Sequence, residues 1–406
     1  MNIFSKKSKK SPFNHLCRFT LLNLIFAGSL FAKERTYLIT GASGHLGISL
    51  MEVLLQDPEV KIKALVHQND QRIEDLKKRI ADEYRKDERI QTFKANILEY
   101  ESIAPVCSDV DAVFHLAAVI SIHSGKKELE YMRRVNLEGT QNVLNASKQA
   151  GIKHFIHCSS SHAFKHLPDR PLSTENGLVD FDELVYDASK AASQHLVTEF
   201  SKKHSEFHHI IIAPSGIIGR NDHPETDMWP LFERYPVVRF SPITKGGYAF
   251  IDVQVLADIM RQAMDQLIDE TTCKKIDGEQ FLVGGKTVSI LEMVQTLQEV
   301  TGKAHCLNMP GSNRPLQFPL WFLKAIAPVY EAAASLLGFK ALITSYSVGV
   351  LGSLPQGIAA KEYDKLKAFF HFREVSLRQT FIDRYEVQKN DLKRLKLKST
   401  KQASKP

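Results

Sequence analysis

Tyr186 and Lys190 stand four residues apart in the stretch VYDASKAASQHL. In a helix, residues at that spacing share a face. An ammonium beside a phenol favours the phenolate and lowers the tyrosine pKa from its ordinary ~10. Such a pair could donate or accept a proton near neutral pH. The same spacing recurs at Tyr363 and Lys367 and at Tyr385 and Lys389, so it does not by itself mark a site. What sets Tyr186 apart is its place in the chain. The apolar run HFIHCSS ends before it, and alternation along that run singles out Ser160 from Ser159 and Ser161. Further upstream, Gly41, Gly44 and Gly47 lie in TGASGHLG, between a short apolar run and an amphipathic stretch. Glycine lets a backbone turn tightly and approach a pyrophosphate, and a following helix offers free N–H groups and the positive end of its dipole.

Those residues need a scaffold, and the hydropathy pattern supplies one. Strands are expected at Tyr37–Ile39, VKIKALVH, IQTFKAN, DAVFHLAAVI, HFIHCSS and HHIIIAPSGIIG. Helices alternate with them, including one over about 128–150 and one carrying Tyr186. DAVFHLAAVI is nearly all apolar, as befits a strand covered on both faces. Strand alternating with helix predicts an α/β fold with a doubly wound parallel sheet. After Gly219 the pattern loosens. YAFIDVQVLADIMRQAM returns to strand and helix, EQFLVGG reads as a strand, and Ser289 as the cap of a helix. The apolar segment PLQFPLWFLKAIAPVYEAAASLLGF is expected to pack in a second lobe, with a membrane-facing helix as the alternative.

The ordered set TGASGHLG, HLAA, NLEGTQNVL, CSS, YDASK and APSGIIG resembles the extended short-chain dehydrogenase/reductases, over about residues 35–388. Within that superfamily the pattern is most similar to the dihydroflavonol-reductase and 3β-hydroxysteroid dehydrogenase branch. The resemblance implies a Rossmann domain over 34–285 with a substrate-lobe insertion at about 220–248. A smaller, mostly helical C-terminal substrate lobe would follow over 286–388. It implies Ser160, Tyr186 and Lys190 as the catalytic set. For the cofactor it implies Thr40, Gly41, Ser43, Gly44, His45, Leu46, Gly47, His67, Asn96, Ala117, Lys190 and Pro214. Asn136 would order a helix break or a water in the proton path. No acid ends the second strand, where His67, Gln68 and Asn69 stand, and this favours NADP(H) over NAD(H). Arg72 could reach the added phosphate. Asn96 replaces the family's adenine-binding Asp, and an amide can still hydrogen-bond the ring.

Two absences narrow the reaction. Ser160 is followed by Ser161 and His162, not by the acidic pair with which the resembling dehydratases eliminate water. Gly216 stands where nucleotide-sugar members carry an Asn. Ile217, Ile218, Met228, Trp229 and Phe232 make the neighbourhood apolar. The expected substrate is therefore a lipophilic small molecule, a bulky, mostly apolar ketone, aldehyde or alcohol. A nucleotide-sugar epimerase and a non-catalytic, membrane-associated NAD(P)-binding protein are the alternatives.

The chain has 406 residues, of which 43% are hydrophobic and 24% charged, an ordinary globular balance. Its two ends, residues 1–32 and 389–406, account for +5 and +6 of a formal +7, which leaves the body acidic by four. No basic reading face is expected, so nucleic acid is not an expected partner. The basic tail over 389–406 reads as a solvated end, or as an attraction to anionic lipid. The KKSKK stretch followed by FTLLNLIFAGSLFA reads as a targeting or anchor segment over 1–33. Its apolar part is short of the ~20 residues of a spanning helix. The expected location is cytoplasmic, or membrane-associated through residues 1–32 with the catalytic domain on the cytoplasmic side; a cleaved signal peptide stays open as an alternative. Five widely spaced cysteines without a C-x-x-C pair fit a reducing compartment. The sixteen histidines form no metal spacing. A homodimer is expected.

Overall fold

The computed structural model describes residues 34–386, except 68–70, 85–86, 121–124, 168, 184, 224–246, 303–315, 338–343, 346 and 350–356. The N-terminal segment, the basic tail, Gln68, Asn69 and Lys389 therefore lie outside the described residues, as do Met228, Trp229 and Phe232.

Seven strands form a parallel sheet in the order β3-β2-β1-β4-β5-β6-β9. They are β1 (Arg35–Thr40), β2 (Val60–Val66), β3 (Ile90–Lys94), β4 (Ala112–His115), β5 (His154–Cys158), β6 (His208–Pro214) and β9 (Gln280–Val283). Strand order reverses at β1, which pairs β2 on one side and β4 on the other, with Thr40 in register with Leu65 and His115. A crevice opens at such a reversal, beyond the carboxyl ends of the strands, and ligands bind there. Successive side chains alternate between two apolar layers. Ile39, Phe114 and Ile156 join one cluster, and Leu38, Val113 and Phe155 the other. Helix α1 (His45–Leu54) and α5 (Val253–Ile268) cover the first face through Leu50, Met51, Leu256 and Met260. The second face is covered by the helical segment Lys126–Gln149 (α3) and by α4 (Tyr186–Lys203), through Val143, Leu144, Val197 and Phe200. Burial on both faces explains why DAVFHLAAVI and HHIIIAP are nearly unbroken apolar runs.

Helix α2 (Gln71–Tyr84) connects β2 to β3 and buries Ile73 and Leu76. Helix α3 is interrupted by a π turn over Val135–Gly139, the helix break expected at Asn136. Gly139 is fixed there by space, since a Cβ would come within 2.6 Å of the Ile97 side chain.

The expected sixth strand, HHIIIAPSGIIG, divides at Ser215. Its second half is β7 (Gly216–Ile218), which leaves the main sheet to pair in parallel with β8 (Gly247–Asp252). Strand β8 pairs antiparallel with β10 (Thr287–Ser289), giving a three-stranded second sheet that the sequence pattern did not show. Three-residue strands are too short to produce a readable alternation. Asp252 caps α5 through the Gln254 N–H, and Ser289 caps α7 (Ile290–Thr301) through the Glu292 N–H. Between them α6 (Glu270–Ile276) leads into β9. Helix α8 (Leu320–Leu337) buries Leu323 and Ala327 against Val348, while Trp321, Val329 and Leu336 are exposed. Among the described residues no helix is long and apolar enough to cross a membrane. Helix α9 (Ala360–Phe369) lies along β9, where Lys365 donates to the Gln280 carbonyl at 2.9 Å.

Candidate active site

The glycine turn occupies the crevice between β1 and β4. Gly41 has φ +68, and a Cβ on it would lie 2.8 Å from the Ala117 nitrogen. A Cβ on Gly47 would lie 2.5 Å from the carbonyl oxygens of both Gly41 and Ala42. The fold itself requires these two glycines. Gly44 is different. Its φ of −70 suits any residue, and an added Cβ would meet only the Gly41 oxygen, at 3.2 Å. Gly44 caps α1 without any side-chain cap, so the first N–H groups of the helix lack an intrahelical partner. A bare backbone and free donors at a topological switch point fit a dinucleotide pyrophosphate. Ser43, Leu46 and the His45 backbone belong to the same turn.

Thr40 and His45 turn their side chains elsewhere. The Thr40 oxygen accepts the N–H groups of Leu116 and Ala117, at 3.2 and 3.1 Å. Its hydroxyl therefore donates to His115 Nδ1, 2.8 Å away. His115 Nε2 then donates to Thr140 Oγ1 at 2.9 Å, and that hydroxyl donates to the Asn136 carbonyl at 2.7 Å. This directed chain needs a neutral imidazole. Burial, with a smaller push from the Lys190 charge, takes the His115 pKa down to about 3. Thr40 thus anchors Ala117 beside Gly41 rather than presenting its side chain to the crevice. His45 is buried, with Nε2 2.8 Å from the Arg220 carbonyl and Nδ1 4.0 Å from Asp222, so it braces α1 against the loop after β7.

The remaining expected cofactor residues sit around the same edge. His67 is exposed just beyond β2. Asn96 follows β3, and its side chain is spent locally, accepting from the Leu98 N–H at 3.1 Å and donating to Glu99 at 2.9 Å. Pro214 is buried at the end of β6.

Beyond β5 the three serines part. Ser159 donates to Gln194 at 2.5 Å, and Ser161 is 3.2 Å from the Tyr248 hydroxyl. Ser160 is near enough to Tyr186 to pull the phenol pKa down. It also caps the short turn Ser161–Ala163, accepting the His162 N–H at 3.2 Å. Tyr186 is the first residue of α4, and Lys190 lies one turn on, buried, donating to the Cys158 carbonyl at 2.7 Å. Ala188, Ser189, Ala191 and Ser193 bury their small side chains, which lets this helix sit close to the sheet. Asn136 is held by Val119 and Ser189 in the π turn, with Nδ2 3.0 Å from each acceptor.

The electrostatics differ from the sequence expectation. Burial raises the Tyr186 pKa well above the ordinary phenol range; the Ser160 hydroxyl pulls the other way, and nearby Cys158, Tyr248 and Asp187 add to the rise. Lys190 is not among the groups that shift it, and its ammonium is bound to the strand carbonyl. Its own pKa is lowered by burial. A raised pKa keeps the phenol protonated. Around it, the sequence reading missed Tyr248 and Asp187. Tyr248 OH is 2.6 Å from His162 Nε2, and Asp187 Oδ1 is 3.4 Å from Nδ1. Asp187 could have been found, since it adjoins Tyr186 in the chain. Tyr248 could not, because β8 reaches the site from the second sheet.

The other two Tyr-x-x-x-Lys pairs have no such surroundings. The Lys367 ammonium lies over the Tyr363 ring at 4.5 Å, and the phenol bonds Glu374. Tyr385 lies in the last described helix, with Arg384 over its ring at 5.3 Å.

A glycine turn at the sheet crevice and a Ser–Tyr–Lys set at the end of β5 are the parts that a nicotinamide-dependent enzyme site needs. The chain belongs to the NAD-dependent epimerase/dehydratase family, whose model matches residues 37–266. It is a member of the extended short-chain dehydrogenase/reductase superfamily of NAD(P)-dependent enzymes. It is similar to the sterol demethylase protein B of Methylococcus capsulatus, 26% identical over 270 residues that make up 66% of this chain and 75% of that protein. A putative dihydroflavonol 4-reductase of Synechocystis is 24% identical over 304 residues, 73% of this chain and 82% of that one. Among solved structures, a UDP-glucuronic acid 4-epimerase from Bacillus cereus shares the fold with TM-score 0.65 at 20% identity, over 87% of this chain and 99% of that one.

Proposed function

We propose that the protein is an NAD(P)(H)-dependent oxidoreductase that interconverts a ketone or aldehyde and an alcohol on a bulky, mostly apolar substrate. The observation that carries this reading is the convergence of Ser160, a half-buried Tyr186 and a buried Lys190 at the carboxyl end of β5, where Lys190 donates to the Cys158 carbonyl at 2.7 Å. In reduction, Ser160 and Tyr186 would both hydrogen-bond the substrate carbonyl, and Tyr186 would deliver the proton as the oxygen becomes negative. The bound nicotinamide supplies the hydride. Lys190 would exchange the Cys158 carbonyl for the nicotinamide ribose, and Gly44 with the first turn of α1 would hold the pyrophosphate. The substrate class is supported by Ile217, Ile218 and Phe250 near the β6 end, with Gly216 in place of a polar side chain. It is supported too by the sterol- and dihydroflavonol-related names of similar proteins. The absence of an acid at the end of β2 favours NADP(H) over NAD(H).

Nicotinamide absorbance with both cofactors, against hydroxysteroids, flavonoid-like ketones and aldehydes, tests the reading. Turnover is expected for at least one of them. In the Tyr186→Phe variant turnover should fall by about 10²–10⁴-fold, with cofactor binding retained. Unchanged turnover in that variant would sink the assignment. Tightly retained NAD, with conversion of a sugar nucleotide and no net nicotinamide change, would support an epimerase instead.

A further inference from the structure

His162 is enclosed by polar and aromatic groups from three segments. Its Nε2 is 2.6 Å from the Tyr248 hydroxyl of β8, and its Nδ1 is 3.4 Å from Asp187 of α4. Its ring stacks on His166 at 5.4 Å and on Tyr248 at 5.7 Å, and the Tyr186 ring stands edge-on at 6.3 Å. The Tyr248 hydroxyl also reaches Ser161, 3.2 Å away, so the short turn after β5 is fastened to β8 at two successive residues.

That turn is what orients Ser160. The Ser160 oxygen accepts the His162 N–H at 3.2 Å. With a lone pair so occupied, Ser160 keeps its own proton to donate within the site. A small rotation of the turn would move the N–H, and with it the serine proton. Misplacing a hydrogen-bond donor at a reacting oxygen lowers rate more than it lowers binding. We propose that His162 is a positioning residue for the reaction proposed above: held between Asp187 and Tyr248, it fixes the turn that places the Ser160 hydroxyl. Tyr248 is the second half of the device, and the inference rests on the oxidoreductase reading for its effect on rate. The bland alternative is a histidine that only fills space between the two sheets. The two differ in what the side chain acts through.

Two variants separate them in the full-length protein. His162→Phe keeps an aromatic ring in the stack and removes both ring nitrogens. Tyr248→Phe removes only the hydroxyl. Each is expected to lower kcat about tenfold, which is 1.4 kcal/mol, with KM, cofactor affinity and melting temperature little changed. In a Ser160→Ala background neither should cost anything further, because there is no hydroxyl left to aim. A packing role would cost the same in both backgrounds, and that result would overturn the proposal. A second readout needs no substrate. The Tyr186 Cζ resonance responds to where the nearby Ser160 hydroxyl stands, and His162→Phe should move it in the same direction as Ser160→Ala. An unmoved resonance in a folded His162→Phe protein would also overturn the proposal. If the wild type reduces none of the carbonyls offered, the functional reading fails on its own, and the resonance still decides whether His162 positions Ser160.

Discussion

Gly44 and Gly47 look equivalent in TGASGHLG, yet the space around them differs. Gly47→Ala would force a Cβ to within 2.5 Å of two backbone oxygens, neither of which can step aside. It should lower the melting temperature and is expected to cost about 1–3 kcal/mol by overpacking. Gly44→Ala meets one contact at 3.2 Å at an ordinary φ. It should melt close to the wild type but bind dinucleotide about tenfold more weakly, or 1.4 kcal/mol, as titration calorimetry would show. Much at this scale was readable in advance. Strand alternation separated Ser160 from its neighbours, and chain order separated Tyr186 from Tyr363. The partner of Lys190 was not readable. Its ammonium meets the Cys158 carbonyl, 32 positions away, only once α4 has docked on β5. For the same reason a lowered Tyr186 pKa was expected and a raised one found: i,i+4 spacing tells which residues share a helix face, not what burial does to them.

At the scale of elements, apolar runs set between helical stretches located all seven strands of the main sheet, because each spans several residues and the central ones are buried on both faces. It did not locate β10, nor the switch of β7 into a second sheet, which depends on Gly216 passing under Phe250. A Cβ there would lie 2.7 Å from that ring. Helix α9 is tied to the loop before α4 by one buried carboxylate. Glu362 accepts the Ser173 hydroxyl at 2.7 Å and both the N–H and the hydroxyl of Thr174 at 2.9 Å. Glu362→Leu strands those donors and should destabilise the protein by about 1–3 kcal/mol, measured by urea unfolding. Helix α8 offers a contrast on a single element. Leu323→Ala removes a buried side chain and should cost about 2–5 kcal/mol. Leu336, 86% exposed, should tolerate serine within about 0.5 kcal/mol.

For the whole molecule, the buried histidines dictate a direction of pH dependence. His115 and His157, on neighbouring strands with rings 5.5 Å apart, both have pKa values depressed mainly by burial, as does His209 on β6. An unfolded chain, with histidines near 6.5, binds more protons than the folded one below that pH. Their contribution to stability is thus complete above about pH 6.5 and is lost progressively as the pH falls toward their folded values. Each adds a slope of about 1.4 kcal/mol per pH unit within its window. Denaturant midpoints at neutral pH and near pH 5 should show the loss. It should be smaller in His115→Gln, whose amide can still bridge Thr40 and Thr140. The ordinary composition did not hint at this, since it counts histidines without saying which are buried.

The position of β9 bears on how the chain is made. The main sheet ends on a strand drawn from Gln280–Val283, which emerges only after β7, β8, α5 and α6. Until then HHIIIAP has an unpaired edge, with Ile211 and Ile212 waiting for Gln280 and Phe281. An open apolar edge on a growing chain invites pairing with another molecule. Helix α1 meanwhile lacks α5, its partner on the cofactor face. A nascent chain released at Gly219 would already carry the glycine turn, Ser160, Tyr186 and Lys190. Expressed alone, that fragment should aggregate, and adding residues through Gly285 should restore solubility. The strand that closes the main sheet is thus made after every residue of the Ser160, Tyr186 and Lys190 set.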